Sequence, residues 1–182
     1  MRKLVLIIAA IALVSVSANS QETFHKGTQL LKATVGFNSN GIPLSVAYEK
    51  GIADNMFGVQ KLNLGVGAYL GFFGYSNTKP SGFGSSEVKT SFVVIAPGVS
   101  GYLHYQFIPK LDTYVGLSLG GSISRSSASN SMSSASATTA TKVAVAWGLA
   151  LGARYEITPK WGAFIEAGHG TGNFTLGAAF KF

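Results

Sequence analysis

From Val143 to Ile157 the chain alternates. Val143, Val145, Trp147, Leu149, Leu151, Ala153, Tyr155 and Ile157 fall on one parity, and Ala144, Ala146, Gly148, Ala150, Gly152, Arg154 and Glu156 on the other. A period of two puts the two sets on opposite faces of one extended strand, and the run is far longer than the usual strand of about 5–6 residues. One face is bulky and apolar; the other is tiny or charged.

The same pattern recurs in eight segments. The first sets Leu31, Ala33, Val35 and Phe37 against Lys32, Thr34, Gly36 and Asn38, and the second Ile42, Leu44, Val46 and Tyr48 against Pro43, Ser45, Ala47 and Glu49. The third runs from Lys61 to Phe72 with Leu62, Leu64, Val66 and Leu70 against Asn63, Gly65, Gly67, Tyr69 and Gly71. The fourth, from Phe92 to Tyr105, is less regular and contains Pro97, which departs from a regular central strand. The fifth sets Val115, Leu117 and Leu119 against Asp112, Tyr114, Gly116, Ser118 and Gly120; the sixth is the run above. The seventh sets Trp161, Ala163, Ile165 and Ala167 against Gly162, Phe164, Glu166 and Gly168, and the eighth Phe174, Leu176, Ala178, Phe180 and Phe182 against Thr175, Gly177, Ala179 and Lys181.

A soluble barrel puts bulk inside and polarity outside, and a membrane barrel reverses this. The 23 glycines decide between them. A water-facing strand surface carries Thr, Lys, Glu and Gln, whereas rows such as Gly65-Gly67-Gly71 suit a narrow lumen on which all strands converge. The bulky face therefore faces lipid. On the small-residue parity Lys32, Lys61, Arg154 and Lys181 meet Glu49, Asp112, Glu156 and Glu166, four against four. Buried charges need partners, so these eight are expected to form a salt-bridge plug in the periplasmic half of the lumen, with His104, Tyr102 and Tyr114 close by.

Arg2 and Lys3, an apolar stretch from Leu4 to Val14, and Ala18-Asn19-Ser20 read as a signal peptide over residues 1–20, cut before Gln21 or after Ala18. Its apolar part is shorter than the roughly 20 residues of a membrane-spanning helix. Its removal lowers the net charge from +7 to +5. Residues 21–27 are then a short periplasmic segment and 28–182 the barrel domain.

Short turns follow Tyr48, Tyr105 and Tyr155 at one end, the last two repeating Pro-Lys, as an interfacial aromatic belt requires. At the other end two long connections, 74–90 and 122–142, are expected to be loops. The stretch from Ser122 to Thr141 contains 12 Ser or Thr and reads as a mobile surface loop. Long loops on one side and short turns on the other are the asymmetry of outer-membrane barrels.

With its signal segment, eight alternating strands over 28–182 and a final strand carrying Phe174, Phe180 and the terminal Phe182, the chain resembles the small eight-stranded outer-membrane barrels of Gram-negative bacteria, the OmpA- and OmpX-like family, with a Tyr-Glu-turn pattern similar to Bacteroidetes-type barrel domains. The resemblance implies an all-β, antiparallel up-and-down transmembrane barrel in the bacterial outer membrane. It also implies that Phe174, Phe180 and Phe182 form a C-terminal signal for the outer-membrane assembly machinery. Other expected partners are outer-membrane lipid and lipopolysaccharide, with an extracellular ligand reached through loops 74–90 and 122–142, and the barrel is expected to be a monomer. Nucleic acid is not expected, because no basic stripe gathers the positive charges.

No catalytic, metal or cofactor site is expected. The chain has no Cys. Gly116-Leu117-Ser118-Leu119-Gly120 fits a nucleophile motif but lies in a continuous strand rather than a sharp strand-to-helix turn. The competing readings are a lipid A modifying enzyme using His169 and Ser118, a narrow small-solute or ion pore, and a secreted soluble ligand-binding barrel. Ser100 and His104, four residues apart on one strand, stand about 13 Å apart, too far for a hydrogen bond.

Overall fold

The computed structural model describes residues 22–38, 41–80, 87–130, 138–170 and 172–182. The signal-peptide expectation lies outside them. Eight strands form one closed antiparallel barrel in which each pairs with its sequence neighbours: β1 (Gln29–Phe37), β2 (Leu44–Ala53), β3 (Leu62–Pro80), β4 (Glu87–Ile108), β5 (Leu111–Asn130), β6 (Thr138–Glu156), β7 (Trp161–His169) and β8 (Phe174–Lys181). β1 pairs with β8 from Leu30↔Lys181 to Phe37↔Phe174, so the ring has no open edge within the barrel wall. This is the all-β up-and-down architecture the alternation predicts.

The register carries the parity around the ring. Leu117 stands opposite Leu149 and Ile165 opposite Leu176, all facing outward, while Ser118 opposes Gly148 and Glu166 opposes Thr175 on the inside. Val145 is 79% exposed and Leu151 68%, whereas Glu49 and Asp112 are each 1% exposed. Burying apolar surface is worth roughly 25 cal/mol per Å². A molecule that leaves its apolar side chains outside and hides its carboxylates is built for an apolar solvent, and this is a transmembrane barrel. Aromatics border the belt at the turn end, where Trp161 packs on Phe180 at 4.9 Å and Tyr105 on Phe107 at 4.6 Å between ring centroids.

Several of the inward glycines have a more specific cause than a crowded axis. In four directly opposed cross-strand pairs an aromatic ring lies over the glycine of the next strand: Tyr69 over Gly98, Tyr102 over Gly116, Tyr114 over Gly152 and Phe164 over Gly177. A Cβ at Gly152 would sit 2.4 Å from the Tyr114 ring, and one at Gly177 2.3 Å from Phe164. The glycines are seats for rings, and the rings lie along the wall.

Two expectations change. The connections at 74–90 and 122–142 are largely strand: β3 reaches Pro80, β4 starts at Glu87, β5 reaches Asn130 and β6 starts at Thr138, with the intervening tips outside the described residues. Ser and Thr suit a ladder exposed on both faces, and Ser124 and Ser126 donate across it to the carbonyls of Lys142 and Ala140. Above Phe72 on β3 and Leu149 on β6 the neighbours β2 and β7 have ended, so β3 to β6 continue as a four-stranded sheet beyond the rim. Pro97, in turn, does not shift the register. Pairing to β5 lapses at Ala96 and Pro97 and resumes unchanged at Gly98↔Gly120, because only one ladder donor is missing.

Two substitutions test this frame. Ile165→Lys, half-way along β7 and 50% exposed, is expected to cost about 2–4 kcal/mol when the barrel refolds into lipid vesicles from urea. Gly152→Ala is expected to cost about 1–3 kcal/mol by overpacking against Tyr114, and the cost should vanish in a Tyr114→Ala background; equal costs in both backgrounds would rule out the ring-on-glycine seat.

Candidate functional site: a buried charge cluster in the lumen

The inward parity of five strands brings the charged residues to one level near the turn end. Lys32 Nζ on β1 is 2.7 Å from Glu49 Oε2 on β2. Glu49 Oε1 is 2.6 Å from His104 Nε2 on β4, across the gap left by Gly65 on β3, where a Cβ would come within 2.6 Å of that carboxylate oxygen. His104 Nδ1 lies 2.9 Å from Asp112 Oδ2 on β5, which also takes Arg154 NH2 on β6 at 3.0 Å. Lys32, Glu49, His104, Asp112 and Arg154 thus form one continuous arc round the wall, all of it buried. Each carboxylate can only accept, and the imidazolium form of His104 donates to both. Lys32 also lies 4.0 Å from the centroid of the Tyr102 ring, a cation–π contact.

Of the eight charges expected together, four are in this arc: Lys32, Glu49, Asp112 and Arg154. Lys181 and Glu156 pair separately and are only partly buried, at the turn-end rim. Glu166 takes no ion pair among the described residues; its oxygens accept from Tyr114 Oη at 2.8 Å and Thr175 Oγ1 at 3.2 Å. Lys61 is not in the lumen at all. It is exposed in the turn before β3 with a left-handed backbone (φ 63°), and its N–H donates to Asn55 Oδ1. Only by extending the alternation one residue too far, into the turn, does Lys61 fall on the inner face.

The centre of the cluster is not visible in the sequence. Residues 22–28 do not hang below the barrel but fold into its mouth. The Phe24 ring is 2% exposed and stacks on His104 with centroids 3.8 Å apart and planes at 16°. Thr23 N–H donates to Gln106 Oε1 at 2.9 Å, Asn63 Nδ2 to the Phe24 carbonyl at 2.6 Å, and Arg154 NH2 to the Thr23 carbonyl at 3.3 Å. Gly51 is needed here, since a Cβ would lie 2.2 Å from the His25 carbonyl oxygen. Asn63 and Gln106, buried amides at the turn ends of β3 and β4, are the available signal that something polar docks there.

Above the cluster the lumen opens into a vestibule of about 250 Å³, bounded by Lys32, Tyr69, Tyr102, Ser118 and Glu166 among others. The catalytic pairing considered for this region does not form. Ser118 faces inward, opposite Gly148, while His169 stands opposite Leu149 on the outer face and packs on Trp147 at 4.8 Å. His104 has both ring nitrogens on carboxylates, and Ser100 is not among its partners. No three metal-ligating side chains converge among the described residues.

Phe174 faces outward on β8, 6.5 Å from Phe37, and Phe180 and Phe182 lie 6.0 Å apart at the turn end, where Phe182 neighbours Tyr48 at 6.3 Å.

Among solved structures, the chain is similar to a major outer membrane protein from Thermus thermophilus, 14% identical with a TM-score of 0.59 over 87% of this chain and 100% of that one. It is also similar to Ail, the attachment invasion locus protein of Yersinia pestis, solved with the heparin analogue sucrose octasulfate, 9% identical with a TM-score of 0.50 over 87% and 100%. At these identities the likeness is one of fold. The chain has the fold of a small outer-membrane barrel. No protein-family model matches the sequence, and no curated protein matches it either.

Removing one member of a buried, paired cluster strands its partners. Asp112→Ala, which leaves Arg154 without its carboxylate and His104 with only Glu49, is expected to cost about 3–5 kcal/mol in urea unfolding from vesicles. Lys61→Ala should stay within about 0.5 kcal/mol of the parent.

Proposed function

We propose that this protein is a non-enzymatic, monomeric barrel of the bacterial outer membrane, sealed along its lumen and presenting the β3–β4 and β5–β6 hairpins to the exterior for surface interaction or adhesion. One observation carries this reading: an apolar belt faces outward round a ring of strands whose buried interior holds an ion-paired cluster. An eight-stranded lumen is just wide enough for side chains to fill. The eight-charge plug becomes in this reading a five-residue arc with Phe24 at its centre, flanked by the Lys181–Glu156 pair and by Glu166. The C-terminal strand, with Phe174, Phe180 and Phe182, is read as the assembly signal, and residues 1–20 as the segment that directs export.

The hairpins carry exposed Lys89, Arg125 and Lys142. Cations held beyond the rim gain Coulomb energy from a layer of phosphate or sulfate. Lipopolysaccharide phosphates and sulfated or acidic polysaccharides are accordingly the proposed contacts, and the occurrence of a sulfated sugar with Ail, on the same fold, is in keeping with this chemistry.

The reading predicts that the protein fractionates with outer membranes, needs detergent for extraction, and migrates faster on gels before boiling than after. In planar bilayers the native chain should give no steady conductance. A well-behaved aqueous monomer would overturn the membrane assignment, and a stable open channel would overturn the seal. Lys89→Ala/Arg125→Ala/Lys142→Ala should lose most binding to immobilised heparin at 0.15 M salt while the barrel still folds.

A further inference from the structure

We propose that the barrel is a gated pore for small inorganic ions, that its gate is the chain's own segment Glu22–Lys26, and that the Phe24 ring is the stopper. The inference rests on the sealed-barrel reading and says which piece makes the seal.

The gate is separable from the barrel. The β1–β8 ladder closes from Leu30↔Lys181 onward, so the ring of strands is complete without residues 22–28. Glu22 to Lys26 are held to the barrel by side-chain bonds, Gln106 to Thr23, Asn63 to Phe24 and Glu22, Arg154 to Thr23, and Asp54 to Lys26, while Gly27 and Thr28 are tied to β2 by backbone bonds with Gly51 at 2.9 and 2.8 Å. With Gly27 and Thr28 as the anchored end, Glu22 to Lys26 can leave and return while the wall stays intact.

What it occupies is the lumen at the turn end. The charged arc follows the wall through β1, β2, β4, β5 and β6, and Phe24 is buried against its inner side. Its ring stacks on His104 and lies against Gly65, where a Cβ would come within 2.9 Å of it, and the Arg154 guanidinium is 5.8 Å from its centroid. One level up, the rings of Tyr102, Tyr114 and Phe164 lie against Gly116, Gly152 and Gly177 on the wall, with the Lys32 ammonium between them at 4.0, 5.4 and 5.8 Å from the three centroids. Beyond Lys32 is the vestibule. Below the vestibule, therefore, the ion-paired Lys32 ammonium and the Phe24 ring follow one another towards the turn-end mouth. With Phe24 withdrawn, the exposed wall is charged and hydrogen-bonding, which suits small hydrated ions and repels apolar solutes.

The full-length chain, purified in detergent and inserted into planar phosphatidylcholine bilayers in 1 M KCl, provides the test. Native protein should be silent. Phe24→Ala should give small, steady current steps, and Phe24→Trp, which keeps a ring at that position, should remain silent. Both variants are first checked for unchanged heat-modifiable migration. A folded Phe24→Ala barrel as silent as the parent overturns the gate, as does equal conduction by the Ala and Trp variants. If Phe24→Ala fails to fold, Asn63→Ala decides: it frees the Phe24 carbonyl but keeps the ring, and brief openings support the gate while silence overturns it. Steady conduction by the native chain would instead overturn the sealed-barrel reading itself.

Discussion

A peptide group in hydrocarbon has no partner other than another peptide group, and an unpaired one costs several kcal/mol. Strands can satisfy that demand only by closing into a ring. Closure between β1 and β8 is thus the constraint on which the remaining features depend. Once the ring is closed, parity sorts every side chain to lipid or lumen, and the lumen of eight strands has a fixed, narrow cross-section. Charges that could be solvated on a soluble protein are forced together inside. Pairing is then a condition of folding rather than an added stabilisation.

The ring-on-glycine seats follow from the same geometry. Inward side chains from eight strands cannot all point at the axis, so bulky ones must lie down along the wall. An aromatic ring can do so only where the directly opposed residue has no Cβ. Tyr69, Tyr102, Tyr114 and Phe164 each meet a glycine at that position. Gly152 is therefore specified by Tyr114, and the pair is a unit across two strands. A single-strand reading sees glycine only as a weak strand former.

The alternation makes the fold legible because parity is a local property, repeated at each residue of eight segments. The outward belt and the lumen-facing position of Lys32, Glu49, Asp112 and Arg154 both follow from it. Lys61 shows where it stops: the pattern continues one residue into a turn whose left-handed backbone removes it from the inner face. The long hairpins escape the alternation for a related reason. Serine and threonine signal disorder by composition, yet a ladder exposed on both faces has no apolar parity to display. Phe24 has no periodic neighbours at all. Its place is set by tertiary contacts, with Asn63, 39 residues further along the chain, and with His104 on the strand beyond, and nothing local announces either.

The distribution of side-chain volume along the inner face finally shapes the empty space. In a ring of constant circumference, volume left by small residues stays open and volume filled by large ones does not. The inward positions of the half away from the short turns include Thr34, Ser45, Gly71, Ser118, Gly148 and Ala150 beside the larger Tyr69, and there the vestibule lies. The inward positions of the turn-end half include Lys32, Glu49, His104, Asp112 and Arg154, and there the Phe24 ring is buried. Eight strands, read only for the size of every second residue, hence encode a cup above and a constriction below, with no element of the fold beyond the strands themselves. The chain then places an aromatic from outside the strands, Phe24, at the constriction, where its ring finds an imidazole face to stack on and a guanidinium beside it.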